Sequence, residues 1–333
     1  MEFLVAAAVV LALAVVPTVL YALFLWWLDR CERDARNMVL VAFLWGAVPA
    51  ILFTFAAQSL FDVPFSLLGG PGSGTKRDLA GLAVSVTEEL FKGLTLLPLL
   101  LLSRWRIETP TDGVIYGGLI GFGFASTENL IFFLDGLSRG TDLTPELAFF
   151  RAILFGLSHA LFTGCTGLGF ALARASRRRF VEVALPLLGL APASLLHVIY
   201  DAGPATAETL HWPLLADLPT GWLGVAGLIV IAWVISARDR TRINRYLDEE
   251  VQVGTLSQRD YWVIQSCRRR VGERLRALTR GDFSRWLQLG RYYQLATELA
   301  FAKQRWIALG REPDSALHIE QLRRELYEMR KQL

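Results

Sequence analysis

The chain has 333 residues, 53% of them hydrophobic and 20% charged, with a formal net charge of +3 and a mean hydropathy of +0.39. That balance excludes a disordered chain and departs from an ordinary soluble domain. No nucleic-acid motif, P-loop or dinucleotide fingerprint is present, so no nucleic-acid partner is expected.

Apolar runs long enough to span a bilayer, about 20 residues each, recur along the first two-thirds of the chain. They lie at roughly 3–28, 38–61, 78–103, 113–134, 146–173, 181–202 and 214–236. The first lacks the basic start of a signal peptide and exceeds the roughly 7–15 residues of a signal core. It is expected to be a retained helix, with Trp26 and Trp27 as interfacial anchors. Basic residues fall in alternate connections: Arg30, Arg33 and Arg36, then Arg104 and Arg106, then Arg174, Arg177, Arg178 and Arg179, then Arg238 onward. The other connections hold only Lys76, Arg77 and Arg139. This alternation predicts a multi-pass protein of the cell membrane with its N-terminus outside and its C-terminus in the cytoplasm. The expected fold class is all-α: a polytopic membrane helix bundle of about seven spans over 1–236, followed by a C-terminal cytoplasmic helical domain over 237–333.

The third run is interrupted by Glu88-Glu89-Leu90-Phe91-Lys92. A charge at the centre of a bilayer helix costs about 2.5–3.5 kcal/mol on insertion scales. Lys92 lies three and four residues from the two glutamates, so it can neutralise one of them. The remaining carboxylate is either half of a structural lock between helices or a functional group. In the fourth run, Gly117 and Gly121 form a small-xxx-small face, and Phe124 and Glu128 sit one turn apart with no basic residue within a turn. The fifth run carries a single histidine, His159, and the sixth carries His197 and Asp201 one turn apart. Asp201 is positioned to accept from one ring nitrogen of His197 and so to fix its tautomer. Each of these also has a structural reading as a packed, hydrogen-bonded core group.

Depth joins them. At about 1.5 Å per residue, Glu88 lies roughly 15 Å, Glu128 roughly 9 Å, His159 roughly 20 Å and His197 roughly 8 Å from the expected outer ends of their helices. One layer across four consecutive spans implies one cavity open to the outer side. Two carboxylates and two histidines suit a divalent metal such as zinc, with Glu128, His159 and His197 as candidate ligands. They equally suit metal-free activation of water by one of two crowded carboxylates, with no cofactor. Either activates water against an amide. No Ser/His/Asp or Cys/His set and no His-Glu-x-x-His is present. Cys31, Cys165 and Cys267 are odd in number and form no disulfide framework. Gly69 to Gly74 reads as a turn-rich linker.

Glu88-Glu89-x-x-Lys92, Phe124-x-x-x-Glu128, isolated His159 and His197-x-x-x-Asp201 resemble, in order, the four motifs of PrsW-type intramembrane proteases, which belong with the CAAX-processing and bacteriocin-processing protease superfamily. No motif position departs from the pattern, and the resemblance covers about 78–203 well. It implies a peptidase that cuts membrane-anchored proteins, with the first extracytoplasmic cut of an anti-sigma factor as the best-known role. By the same resemblance Glu88 would activate the water and Glu89 would be held by Lys92. Glu128 and His159 would complete the water or metal site, and His197, oriented by Asp201, would stabilise the oxyanion. The carboxylate-rich set favours a glutamic mechanism, with metal dependence as the alternative.

The tail is arginine-rich, which favours the anionic cytoplasmic leaflet of the lipid bilayer. Ser257 with Asp260, Gly281 with Asp282, and Gly310 before Pro313 predict about three helices. Two rival functions use the same charges: an ion- or proton-coupled transporter, and an inactive membrane sensor or scaffold. The absence of an inverted repeat counts against the first. Desolvated carboxylates that a scaffold does not need count against the second.

Overall fold

The computed structural model describes residues 2–28, 36–60, 75–102, 110–139, 149–154, 156–174, 176, 178–207, 244–309 and 313–333, with isolated positions between 222 and 241. All regular structure among the described residues is helical, as expected. Helix α1 (Glu2–Leu28) is followed by α2 (Arg36–Trp45), a π-helical turn π1 (Gly46–Ala50) and α3 (Ile51–Leu60), which run on without a break. Then come α4 (Thr75–Leu102), α5 (Pro110–Ser138), a second π turn π2 (Phe150–Leu154), α6 (Ser158–Arg174) and α7 (Arg179–Ala207). These helices form one compact unit. A helical segment at 244–252 with α8 (Gln258–Ile264), α9 (Cys267–Thr279), α10 (Phe283–Leu309) and α11 (Pro313–Gln332) forms a second.

Five stretches among the described residues are long and apolar enough to cross a membrane: Leu4–Trp26, Asn37–Leu60, Pro110–Ser138, Arg151–Arg174 and Arg179–Asp201. They coincide with five of the expected spans. The expected third span is α4, a 28-residue helix that carries Glu88, Glu89 and Lys92 within one turn. The expected seventh, 214–236, lies largely outside the described residues, as do the connections at 29–35 and 61–74 with Cys31 and the glycine-rich linker.

Helix α5 is the axis of the first unit, buried along nearly all of Asp112–Asn129. Its glycines explain how. A Cβ at Gly113, Gly117 or Gly121 would overlap the backbone of Gly167, Thr163 or His159 on α6. Small residues at this spacing let two helix backbones touch, which is the main source of helix association where lipid replaces water. Gly169 and Gly189 repeat the device between α6 and α7, each lying against a carbonyl of the other helix. On the opposite side of α5, Gly123 lies against the Phe43 backbone of α2. Pro49 lacks an N–H to donate, and the helix widens there into π1. Within π1 the Ala47 carbonyl accepts from the Thr127 hydroxyl of α5, at 2.7 Å. The outward faces of α1, α3 and α7 expose Leu4, Leu20, Leu52, Leu60, Phe180 and Leu188, a surface suited to hydrocarbon.

The second unit has a core of Leu247, Leu256, Ile264, Tyr292, Leu299 and Leu326. Its signals read as the sequence suggests. Ser257 and Asp260 form a reciprocal capping box at the start of α8. Gly281, with φ +77°, follows the end of α9, and Pro313 opens α11. Among the described residues five helical segments stand where about three were expected: the helix expected from Ser257 breaks at Gln265–Ser266 into α8 and α9, and the segment at 244–252 precedes it. Buried Glu250 accepts from Lys303 at 2.7 Å and from Arg323 at 2.7 Å. Burial alone would raise this carboxyl. The hydrogen bonds from Arg323 and Lys303 outweigh that and hold it below the usual carboxylate range.

Candidate active site

Close packing of α4, α5, α6 and α7 brings the polar groups of four separate runs into one buried cluster. Gly121 rests on the His159 backbone, so the end of α5 bearing Phe124 and Glu128 is held beside the start of α6. Glu88, Glu89, Lys92, Glu128, His159 and His197 are all buried, Glu89 and Lys92 with no exposure at all. Groups this deep need partners, and the cluster supplies most of them internally.

Lys92 is at the centre. Its Nζ donates to Glu89 Oε1 at 2.7 Å, lies 3.1 Å from His159 Nδ1 and 3.6 Å from Glu88 Oε2, and sits 3.9 Å above the Phe124 ring. Phe124 therefore touches the cation as a π face. An ammonium can only donate, so His159 Nδ1 is the acceptor and His159 Nε2 carries the ring proton. That Nε2 lies 3.1 Å from Glu128 Oε2.

His197 is held the other way round. Its Nδ1 lies 2.9 Å from Glu89 Oε1, so Nδ1–H is the donor there. Its Nε2 lies 3.7 Å from Glu88 Oε2 and 3.5 Å from Asp201 Oδ2. The sequence reading gives Asp201 the task of orienting this ring. In the structure the closer carboxylate is Glu89, 108 residues away on another helix. Asp201 instead accepts from the Ser85 hydroxyl at 2.6 Å and is 30% exposed, so the cluster opens on its side. Thr163 adds a longer hydrogen bond to Glu89 Oε2, at 3.3 Å. Two buried carboxylate oxygens, Glu88 Oε2 and Glu128 Oε2, accept no well-formed hydrogen bond from the protein.

Local sequence reasoning leaves Glu128 without a cation. The structure provides one from 23 residues away: Arg151 Nη2 on π2 meets Glu128 Oε1 at 2.6 Å. The only sequence signal is a lone arginine near the start of an otherwise apolar run, which reads equally well as a membrane-edge residue. Ser85 and Thr163 give no signal, being small hydroxyls in apolar helices.

The family model described as "PrsW family intramembrane metalloprotease" matches residues 34–235, which include every group above. The chain belongs to the PrsW family. It is 26% identical over 226 residues to Protease PrsW of Geobacillus kaustophilus (strain HTA426), covering 66% of this chain and 85% of the relative. Protease PrsW of Bacillus subtilis (strain 168) is 25% identical over 192 residues, covering 58% and 81%. The Clostridioides difficile (strain 630) protein of the same name is 23% identical over 198 residues, covering 57% and 76%. No solved structure matches. Membership of the PrsW family makes this a multi-pass membrane protein of the intramembrane protease class, whose substrate is a protein in the membrane.

Proposed function

We propose that the chain is a glutamic-type intramembrane endopeptidase that cuts membrane-anchored proteins near the extracytoplasmic side, with Glu88 as the base. The observation that carries this is the position of the Lys92 ammonium. Among the described residues, Glu89, His159 and His197 have ligand atoms within 4.8 Å of one another and so suit a metal by spacing. Lys92 is already against two of them. A divalent ion among the same donors would meet that ammonium at contact distance. With Lys92 on its Nδ1, His159 also has no lone pair left on Nε2 to give. Glu89 and His159 are occupied by Lys92 as arranged, and this supports a metal-free reading over a set of Glu128, His159 and His197 ligands.

In that reading Lys92 keeps Glu89 ionised and spent on structure, while Glu88 Oε2, free of hydrogen bonds, takes a proton from water as it adds to the scissile carbonyl. Glu128 and His159 position the water from the other side. His197, fixed through Nδ1 by Glu89, presents Nε2 to the same space and, when protonated, donates to the oxyanion. Asp201 is the partly exposed edge of the cluster and lies near the expected outer end of its helix, which agrees with an extracytoplasmic cut. Anti-sigma factors are the substrate class that the family resemblance implies. A substrate helix must unwind to enter, because its amides are hydrogen-bonded within the helix.

Purified protein should cleave a single-span reporter, and Glu88→Gln and His159→Ala should each lower turnover at least about 100-fold without loss of insertion. Cleavage that survives a chelator supports the glutamic reading. Cleavage abolished by chelation and restored by zinc would replace it with a metal one.

A further inference from the structure

The π2 turn places Arg151 in a position that no four-residue motif on α4–α7 specifies. A π turn adds a residue to one helical turn and so rotates the side chains that follow it, which is why such turns recur at functional sites. Here the turn is anchored from α1: the Tyr21 hydroxyl donates to the Ile153 carbonyl at 2.8 Å. Arg151 then reaches back to α5 with three contacts. Nη2 donates to Glu128 Oε1 at 2.6 Å, Nε donates to Asn129 Oδ1 at 2.8 Å, and the guanidinium lies 4.2 Å above the Phe132 ring. These contacts need a planar fork of donors with a flat face, which arginine has and lysine lacks.

The consequence is a division of labour between the two oxygens of Glu128. Oε1 is fixed by Arg151. Oε2 is turned 3.1 Å from His159 Nε2 and accepts no well-formed hydrogen bond. Without the guanidinium, the carboxylate would be free to rotate and exchange its oxygens. We propose that Arg151 is the positioning residue for Glu128, holding one carboxylate oxygen so that the other faces His159 and the reacting water. Its contacts on α5 are Glu128, Asn129 and Phe132, and it acts on the reacting water through Glu128. The proposal rests on the peptidase reading above.

The test is a double-mutant cycle on the full-length protein in detergent, with a single-span reporter and thermal unfolding followed in parallel. Arg151→Met should lower kcat about tenfold or more with KM changed less than about threefold, and Arg151→Lys should fall between it and wild type. Because both residues act as one unit, Arg151→Met combined with Glu128→Gln should be no slower than Glu128→Gln alone. Millimolar guanidinium should restore part of the turnover of Arg151→Ala, which a purely structural role would not allow. Multiplicative losses in the double variant, a wild-type kcat for Arg151→Lys, or the absence of guanidinium rescue would each overturn the proposal. Wild-type protein and Glu88→Gln run alongside: if the wild type does not cleave, the peptidase reading itself fails, and if Glu88→Gln keeps wild-type turnover, Glu88 is not the base, whatever Arg151 does.

Discussion

Lys92 shows how one buried side chain sets the state of its neighbours. It neutralises Glu89, faces Glu88 and fixes the tautomer of His159. Lys92→Met should therefore do more than remove one contact. It leaves two buried glutamates with no lysine between them, which costs about 3–5 kcal/mol when a buried pair is broken from one side. Thermal unfolding in detergent should show that loss, together with no detectable cleavage. Asp201→Asn makes a contrasting case. Its contact to His197 is long, its side chain is partly exposed, and Glu89 already holds the other ring nitrogen. Turnover should stay within about tenfold of wild type, and a larger fall would restore Asp201 as the residue that orients the ring. At this scale the sequence reveals the chemistry of each group but not its partner. Glu88, Glu89 and Lys92 are legible as a local set because one helical turn joins them. The pairs Glu89–His197 and Glu128–Arg151 are not, because they depend on how four helices pack.

Among the elements, the α5–α6 seam decides whether a site exists. Gly121→Ala would drive a methyl into the His159 backbone, and a carbonyl cannot move aside as a flexible side-chain end can. Overpacking of this kind costs about 1–3 kcal/mol. The shift it forces is at a residue of the site, where about 1 Å of misplacement can cost roughly 100-fold in rate. Both effects are expected, read by thermal unfolding and by cleavage. Gly272→Ala in α9 is the natural control: a Cβ there meets nothing within 4 Å. It should leave cleavage unchanged and stabilise its helix by up to about 1 kcal/mol. The glycine spacing at 117 and 121 announces a close helix contact in the sequence, although not with which helix. The π turns are silent. π1 has Pro49 as a local cause, but nothing in Phe150-Arg151-Ala152-Ile153-Leu154 marks π2, whose Ile153 carbonyl is held from α1.

The whole molecule is two units with different physics. In the first, apolar faces turn outward and charges inward. In the second, an ordinary apolar core surrounds one ionised knot, Glu250 with Lys303 and Arg323. The Glu250 carboxyl is held below its unfolded value, so its contribution is present above the unfolded carboxylate range, near pH 4.3. It is lost as pH falls through the lower folded value. The second unit should melt at constant temperature around neutrality and lose stability on acidification below about pH 5. Glu250→Gln should remove about 2–3 kcal/mol at neutral pH and flatten the acid limb, as followed by far-UV circular dichroism. The broad outline of this unit is legible because capping boxes, a left-handed glycine and a helix-opening proline are local signals. The burial of Glu250 is not, because its two cations come from α10 and α11, more than 50 residues away.

The order in which the site is assembled follows from the same long separations. Helix α4 leaves the ribosome with Glu88, Glu89 and Lys92 inside its apolar stretch, and the histidine that Glu89 meets lies 108 residues further on. At about 5–20 residues per second, that is a wait of roughly 5–20 s. Throughout that interval α4 is a poor passenger for the lipid phase and must be sheltered by the insertion machinery or by water. On the proposed mechanism the nascent chain is inert as a catalyst until α7 is in place, and a product ending before His197 should show no cleavage of the single-span reporter.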